Sequence, residues 1–167
     1  MIADALSSGI AFLQTQQQND GSFLSLSSPS PISFNNSLVF HSTFSTALIL
    51  SCLNTLEETP ILTTIKRKAV SFLLGQRSKH WSFNYWTRGS KEAKAMPYPD
   101  DLDDTFCALS AIYQYNPQMV NGESMAKIVT LLTTTEDKEG GPYRTWIIKE
   151  KKGRKWRDID LAVNSNI

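Results

Sequence analysis

Apolar residues return at helical spacing along most of the chain. Ile2, Leu6, Ile10 and Leu13 mark one stripe, Phe44, Leu48 and Cys52 a second, and Ile65, Ala69, Phe72 and Leu73 a third. Phe106, Leu109, Ile112 and Tyr113 mark a fourth, and Met125, Ile128, Val129 and Leu132 a fifth. Steps of three and four put such residues on one face of an α-helix. The stripes predict helices over 2–18, 61–76 and 122–134, and over about 42–56 and 102–115. No stretch alternates strictly, so strands should be few. Breakers separate the stripes. Asn19-Asp20-Gly21 ends the first helix, and residues 27–36 form a loop with Pro29 and Pro31. Thr59-Pro60 opens the third helix, Asn116-Pro117 closes the fourth, and Gly140-Gly141-Pro142 follows the fifth. Residues 160–167 read as the start of a sixth helix, which is expected to be cut short or completed by a partner.

The pattern repeats. Gln17 precedes Gly21-Ser22-Phe23, Gln76 precedes Trp81-Ser82-Phe83, and Glu136 precedes Gly140-Gly141-Pro142-Tyr143. The aromatic ends at 23, 83 and 143 stand 60 residues apart. Such a period implies a repeated two-helix unit, over about 1–58, 59–117 and 118–167. One hairpin cannot bury its own apolar face, so neighbours must stack on it. The pairs Ala47-Leu48 and Ala108-Leu109 align the second helices at an offset of 61, which places His41 opposite Leu102.

Composition narrows the function classes. The chain has 167 residues, 41% of them hydrophobic, and a net charge of +1. Neither a nucleic-acid-binding field nor a membrane span is written in it. The opening MIADALSSGIAFLQ lacks a signal-peptide pattern, so a cytoplasmic location is expected, with peripheral membrane contact allowed. Cys52 and Cys107 read as buried reduced thiols, a disulfide being the rival reading. Lys66, Arg67 and Lys68 read as an exposed helix face, and the basic run 149–155 as a solvated turn or a headgroup contact between Trp146 and Trp156.

The repeated segments resemble the QW motif of the terpenoid cyclase and protein prenyltransferase superfamily. Phe23 and Phe83 replace its tryptophan, and His80 takes its glycine place in the second copy. A second likeness is to squalene-hopene-type class II terpene cyclases. These carry Trp-x-Phe, then Tyr-Pro-Asp, then Asp-x-Asp-Asp-Thr; this chain has Trp81-Ser82-Phe83, Tyr98-Pro99-Asp100 and Asp101-Leu102-Asp103-Asp104-Thr105. An extra residue separates the last two segments here. The resemblance implies an all-α fold, an α/α toroid of helical hairpins in inner and outer layers, with about half a barrel in this chain. It also implies acid-initiated cyclisation of an apolar isoprenoid without metal or other cofactor.

In that chemistry a neutral carboxylic acid protonates an alkene or epoxide. Crowded carboxylates cannot all ionise, so at least one keeps its proton. The resemblance makes Asp103 the donor and Asp101 and Asp104 its flanking members. Aromatic side chains then steady the carbocation by cation–π contact. Trp81, Phe83, Tyr85, Trp86, Tyr98 and Phe106 are candidate walls, and His41 a further lining residue. Asn164 and Asn166 stand near the matching place in the third unit. Two other readings stay open. One is a non-catalytic toroid that binds a hydrophobic ligand or protein, or assembles with copies of itself, its aspartates serving only as helix caps. The other is Mg²⁺-dependent prenyl diphosphate chemistry, with Asp100, Asp101 and Asp104 sharing a helix face as metal ligands.

Overall fold

A computed structural model of the chain describes residues 2–148 and 156–167. The basic run at 149–155 lies outside them. The fold is mostly helical. In order come α1 (Ile2–Gln16), β1 (Ser25–Ser27), β2 (Leu38–Phe40), α2 (Thr43–Asn54), α3 (Pro60–Gln76) and α4 (Lys91–Ala95). They are followed by α5 (Leu102–Tyr115), a 3-10 turn (Pro117–Met119), α6 (Gly122–Thr135) and α7 (Leu161–Ser165). The strands form one antiparallel hairpin that pairs Leu26 with Val39. Its strands flank the expected loop at 27–36 and overlap it only at Ser27. The short helix α4 carries no stripe long enough to have been read.

Capping fixes the second helix of each unit. Ser42, Asp101 and Asp160 are the N-caps of α2, α5 and α7, and each side chain accepts a main-chain N–H of the first turn. They stand 59 residues apart. Four residues on, Thr46, Thr105 and Asn164 repeat the same spacing and share one task. Thr46 Oγ1 accepts from the Phe23 N–H at 2.9 Å, Thr105 Oγ1 from the Phe83 N–H at 3.0 Å, and Asn164 Oδ1 from the Tyr143 N–H at 2.8 Å. The offset of 61 read from the Ala-Leu pairs is therefore two too long. His41 corresponds to Asp100, not to Leu102.

The turns after α1, α3 and α6 also match. Gly21, Trp81 and Gly140 have φ of 94°, 65° and 67°. Gly21 has a second reason to lack a side chain, because a Cβ there would lie 2.2 Å from the Lys68 carbonyl oxygen of α3. Trp81, not His80, holds the glycine place in the second turn. Its ring lies 5.1 Å from the Arg77 guanidinium. Arg77, the C-cap of α3, stands where Gln17 stands, and Gln76 instead binds the main chain of Arg88. Gln17 bridges units, donating to Gly21 O and to Ile65 O of α3, each at 3.0 Å.

Successive units are laced by main-chain bonds. The first N–H of α2, from Thr43, reaches Tyr85 O at 2.8 Å, and that of α5, from Leu102, reaches Thr145 O at 2.9 Å. In return Thr87 N–H reaches His41 O, and Ile147 N–H reaches Asp100 O. The apolar packing follows these bonds. Ile10, Phe23, Leu53, Leu62 and Ile65 join α1, α2 and α3. Ala47, Leu50, Ala69, Leu73, Phe83, Leu109, Ile112 and Ile128 continue the core through α2, α3, α5 and α6. Leu102, Leu131 and Val163 join the second unit to the third. Each large side chain buried this way stabilises the fold by about 1.5–3 kcal/mol.

Several expected faces are corrected. In α2 the buried face is Thr43, Thr46, Ala47, Leu50 and Leu53, whereas Leu48 and Cys52 are exposed. The helix is apolar on two sides, so periodicity could not say which one packs. Leu6, Tyr113, Met125 and Val129 are exposed as well. Cys107 is half-buried, and neither thiol is in a disulfide. Lys66 is buried and pairs with Glu58, unlike exposed Arg67 and Lys68.

Thr105 is fully buried, so Thr105→Val should leave the Phe83 N–H without an acceptor and cost about 1–3 kcal/mol in urea denaturation. Thr105→Ser should recover most of the loss. Equal costs for Val and Ser would remove the hydrogen bond from the account.

Candidate acid site

The acidic run occupies the entry to α5, which begins only at Leu102. Asp100 and Asp101 precede the helix, so Asp100, Asp101 and Asp104 do not share a helical face. Asp100 is committed elsewhere: its carboxylate accepts from Arg88 Nη2 at 2.8 Å, from Ser82 Oγ at 2.5 Å and from Asn84 Nδ2 at 3.3 Å. Among the described residues no cluster of three His, Cys, Asp or Glu is arranged to hold a metal.

The other three aspartates divide their roles. Asp101 is buried, and its Oδ1 accepts the Asp104 main-chain N–H at 2.8 Å. Asp104 is buried beside it, and its Oδ1 has no hydrogen-bond partner. Burial raises both carboxyls above the usual carboxylate range. For Asp104 the bond to Asp101 and the neighbouring negative charges add to the rise, whereas for Asp101 the bonds to Asp104 oppose it. The pair therefore holds one proton between its two carboxyls to high pH. Asp103 is only half-buried and accepts from Asn166 Nδ2 at 2.9 Å.

Two hollows adjoin these groups. One, of about 280 Å³, is lined by Asp101, Asp103, Asp104, Phe44, Tyr85, Tyr98, Thr145, Trp146 and Val163. The other, of about 300 Å³, is lined by Asp103, Asn166, Phe44, Leu48, Ser51, Phe106, Cys107 and Ser110. Phe44 and Asp103 belong to both. Burial, together with Asp103 and Asp104, pushes the Cys107 thiol up to about 12, so it stays protonated.

The expected walls separate into two groups. Tyr98 and Phe106 line the hollows, as does Tyr85. Trp81 and Phe83 lie in the core between helices. Trp86 is buried behind the lining, its ring 4.6 Å from that of Tyr85 and 6.1 Å from that of Tyr98. His41 is exposed, because its place in the repeat is that of Asp100, outside the helix. Asn164 is used by Tyr143, to which it also donates at 2.9 Å, and only Asn166 reaches the acids. Phe44 and Trp146 are additions to the expected lining. Trp146 follows Trp86 by 60 residues, and this repeat would have found it. It also packs on Trp156, with ring centroids 4.7 Å apart.

The raised carboxyls make stability pH-dependent. Unfolded, the two aspartates lose their protons near pH 4; folded, the pair still holds one. Their stabilisation is thus complete below pH 4 and declines as pH rises through neutrality, by up to about 1.4 kcal/mol per pH unit for each proton retained. Asp104→Asn keeps the donor toward Asp101 without a titrating proton. It should be the more stable protein at pH 8, by on the order of 1–3 kcal/mol, with a flatter curve of melting temperature against pH. Parallel curves for the two proteins would contradict the buried proton.

A scan of family models, a search of curated proteins and a search of solved structures each found no match to this chain.

Proposed function

We propose that the aspartates at the head of α5 form an acid site of the class II terpene cyclase type, and that the repeats belong to an α/α toroid. The observation that carries this reading is the contrast between repeats. Ser42, Asp101 and Asp160 all cap their helices, so capping accounts for Asp101 alone. At the two places that follow in register, Phe44 and Ser45 stand in the first unit and Ala162 and Val163 in the third. Asp103 and Asp104 are extra acids in the second unit, beside an aromatic hollow that capping does not require.

In this reading an apolar isoprenoid enters the hollow, and the proton kept by the Asp101–Asp104 pair is delivered to it through Asp103. Asp103 borders both hollows, and Asn166 restrains one of its oxygens, leaving the other to meet an alkene or epoxide. Phe44, Tyr85, Tyr98 and Trp146 line the hollow, and the π-face of an aromatic ring is the part that steadies the cation that forms. The last cation of the cascade gives up a proton, which restores the acid, so the cyclised product is an isomer of the substrate. No metal or organic cofactor takes part.

The alternative is a non-catalytic toroid domain that holds a hydrophobic ligand. The cap geometry of Asp101, which its neighbours share without chemistry, favours it.

Incubation with linear polyprenes and their epoxides, followed by product analysis, separates the two. Cyclised product is expected, with a loss of about 10²- to 10⁴-fold in Asp103→Asn. Turnover unchanged in Asp103→Asn would remove the acid assignment, and saturable binding with no product from any polyprene would favour the binding domain.

A further inference from the structure

We propose that the β1–β2 hairpin is a lipid-surface anchor, its apolar tip entering the headgroup region of an anionic membrane. Two observations on the hairpin lead here. The first is charge. No Asp, Glu, Lys or Arg occurs from Gly21 to Leu56, a span of 36 residues in a chain that is 20% charged. The second is exposure. Ile32 is 92% exposed, and Leu26, Phe34 and Leu38 are each more than half exposed.

The arrangement of these side chains selects the occupant. Leu26 and Val39 are cross-strand partners and so share one face of the ribbon, while Leu38, paired with Ser27, belongs to the other. Ile32 and Phe34 stand at the tip, in a turn closed by Ser28 Oγ donating to Ser33 O at 2.6 Å and Ser37 Oγ donating to Phe34 O at 2.6 Å. A hairpin apolar on both faces and at its tip is covered all round by lipid, whereas docking on a protein surface would cover one face. The serines satisfy their own main chain, which lowers the cost of leaving water. A charged side chain in this stretch would oppose entry, and there is none.

The base of the hairpin supplies the complementary charge. Phe40 packs on Trp86 with ring centroids 5.8 Å apart, and Thr87 N–H bonds His41 O. This brings the segment leading to α4 against the hairpin. On α4, Glu92 is buried and pairs with Lys91 at 3.9 Å, while the Lys91 and Lys94 side chains are exposed. These cations follow the segment that joins the base of the hairpin, where anionic headgroups would meet them once the apolar tip has entered the layer. No described helix is long and apolar enough to cross a membrane, so the contact is interfacial.

Co-sedimentation of the whole chain with phosphatidylcholine vesicles, with and without phosphatidylglycerol, tests the proposal. Binding is expected to both, and more tightly to the anionic vesicles. The double variant Ile32→Ser with Phe34→Ser should weaken binding to both by about tenfold or more. Lys91→Ala and Lys94→Ala should each weaken binding roughly fivefold, on anionic vesicles only. Leu161→Ser removes an equally exposed side chain outside the hairpin and should change nothing. The proposal is overturned if the double variant binds as the parent does, or if Leu161→Ser weakens binding as much. It is also overturned if the parent is a dimer without lipid that the double variant converts to monomer, since the hairpin would then cover a second copy.

Discussion

One hydrogen bond, made three times, organises this molecule. In each unit the main-chain N–H of an aromatic residue, Phe23, Phe83 or Tyr143, finds its acceptor on the side chain one turn inside the following helix, at Thr46, Thr105 or Asn164. The donor at Phe23 and Phe83 is buried, so water cannot replace the acceptor and the bond must be made within the protein. Satisfying it fixes where the second helix starts relative to the turn after the first. That placement puts the N-caps in register, brings the first N–H of α2 and α5 to carbonyls of the next unit, and aligns the stripes that pack as the core. The acids of the second unit stand beside the hollow for the same reason: they lie within one turn of Thr105.

Much of this was legible in the residues. The helix limits followed from punctuation that acts locally, Thr59-Pro60 and Asn116-Pro117 above all, since proline excludes certain backbone states whatever surrounds it. The 60-residue period was equally visible in the aromatic ends. The pairs Ala47-Leu48 and Ala108-Leu109 give the second helices the wrong phase, since they are small and common apolar residues that many registers would pair. The polar residues Ser42, Asp101 and Asp160 carried the true phase, since a cap has one place and a core alanine has several.

The candidate site was legible in position and less so in detail. The run 100–104 marks the place, and within it burial raises the carboxyls of Asp101 and Asp104. The division of labour among the aspartates depends on depth and rotation, which periodicity does not encode. Asp100 reads as one of the cluster, yet it is spent on Arg88, a contact across a loop with no fixed spacing. Trp81 and Phe83 read as walls by closeness along the chain, but a residue in the turn after α3 points between helices. Phe44 reads as core, and it lines both hollows because α2 turns its second apolar side toward them.

The energetics of Asp104 bear on how the site is read. A buried carboxyl oxygen with no partner costs stability, by about 1–3 kcal/mol relative to a satisfied group. Serine at the corresponding place in α2 and valine in α7 carry no such cost, so the fold itself does not ask for the acid. Capping does not ask for it either, because Asp101 already performs that task. Destabilising polar groups of this kind are retained where they serve an interaction absent from the folded chain alone, and the nearest space for such an interaction is the aromatic hollow that Asp104 borders. For the acid site proposed above, its position there, rather than the number of acidic residues in the run, is the feature that a helix start does not explain.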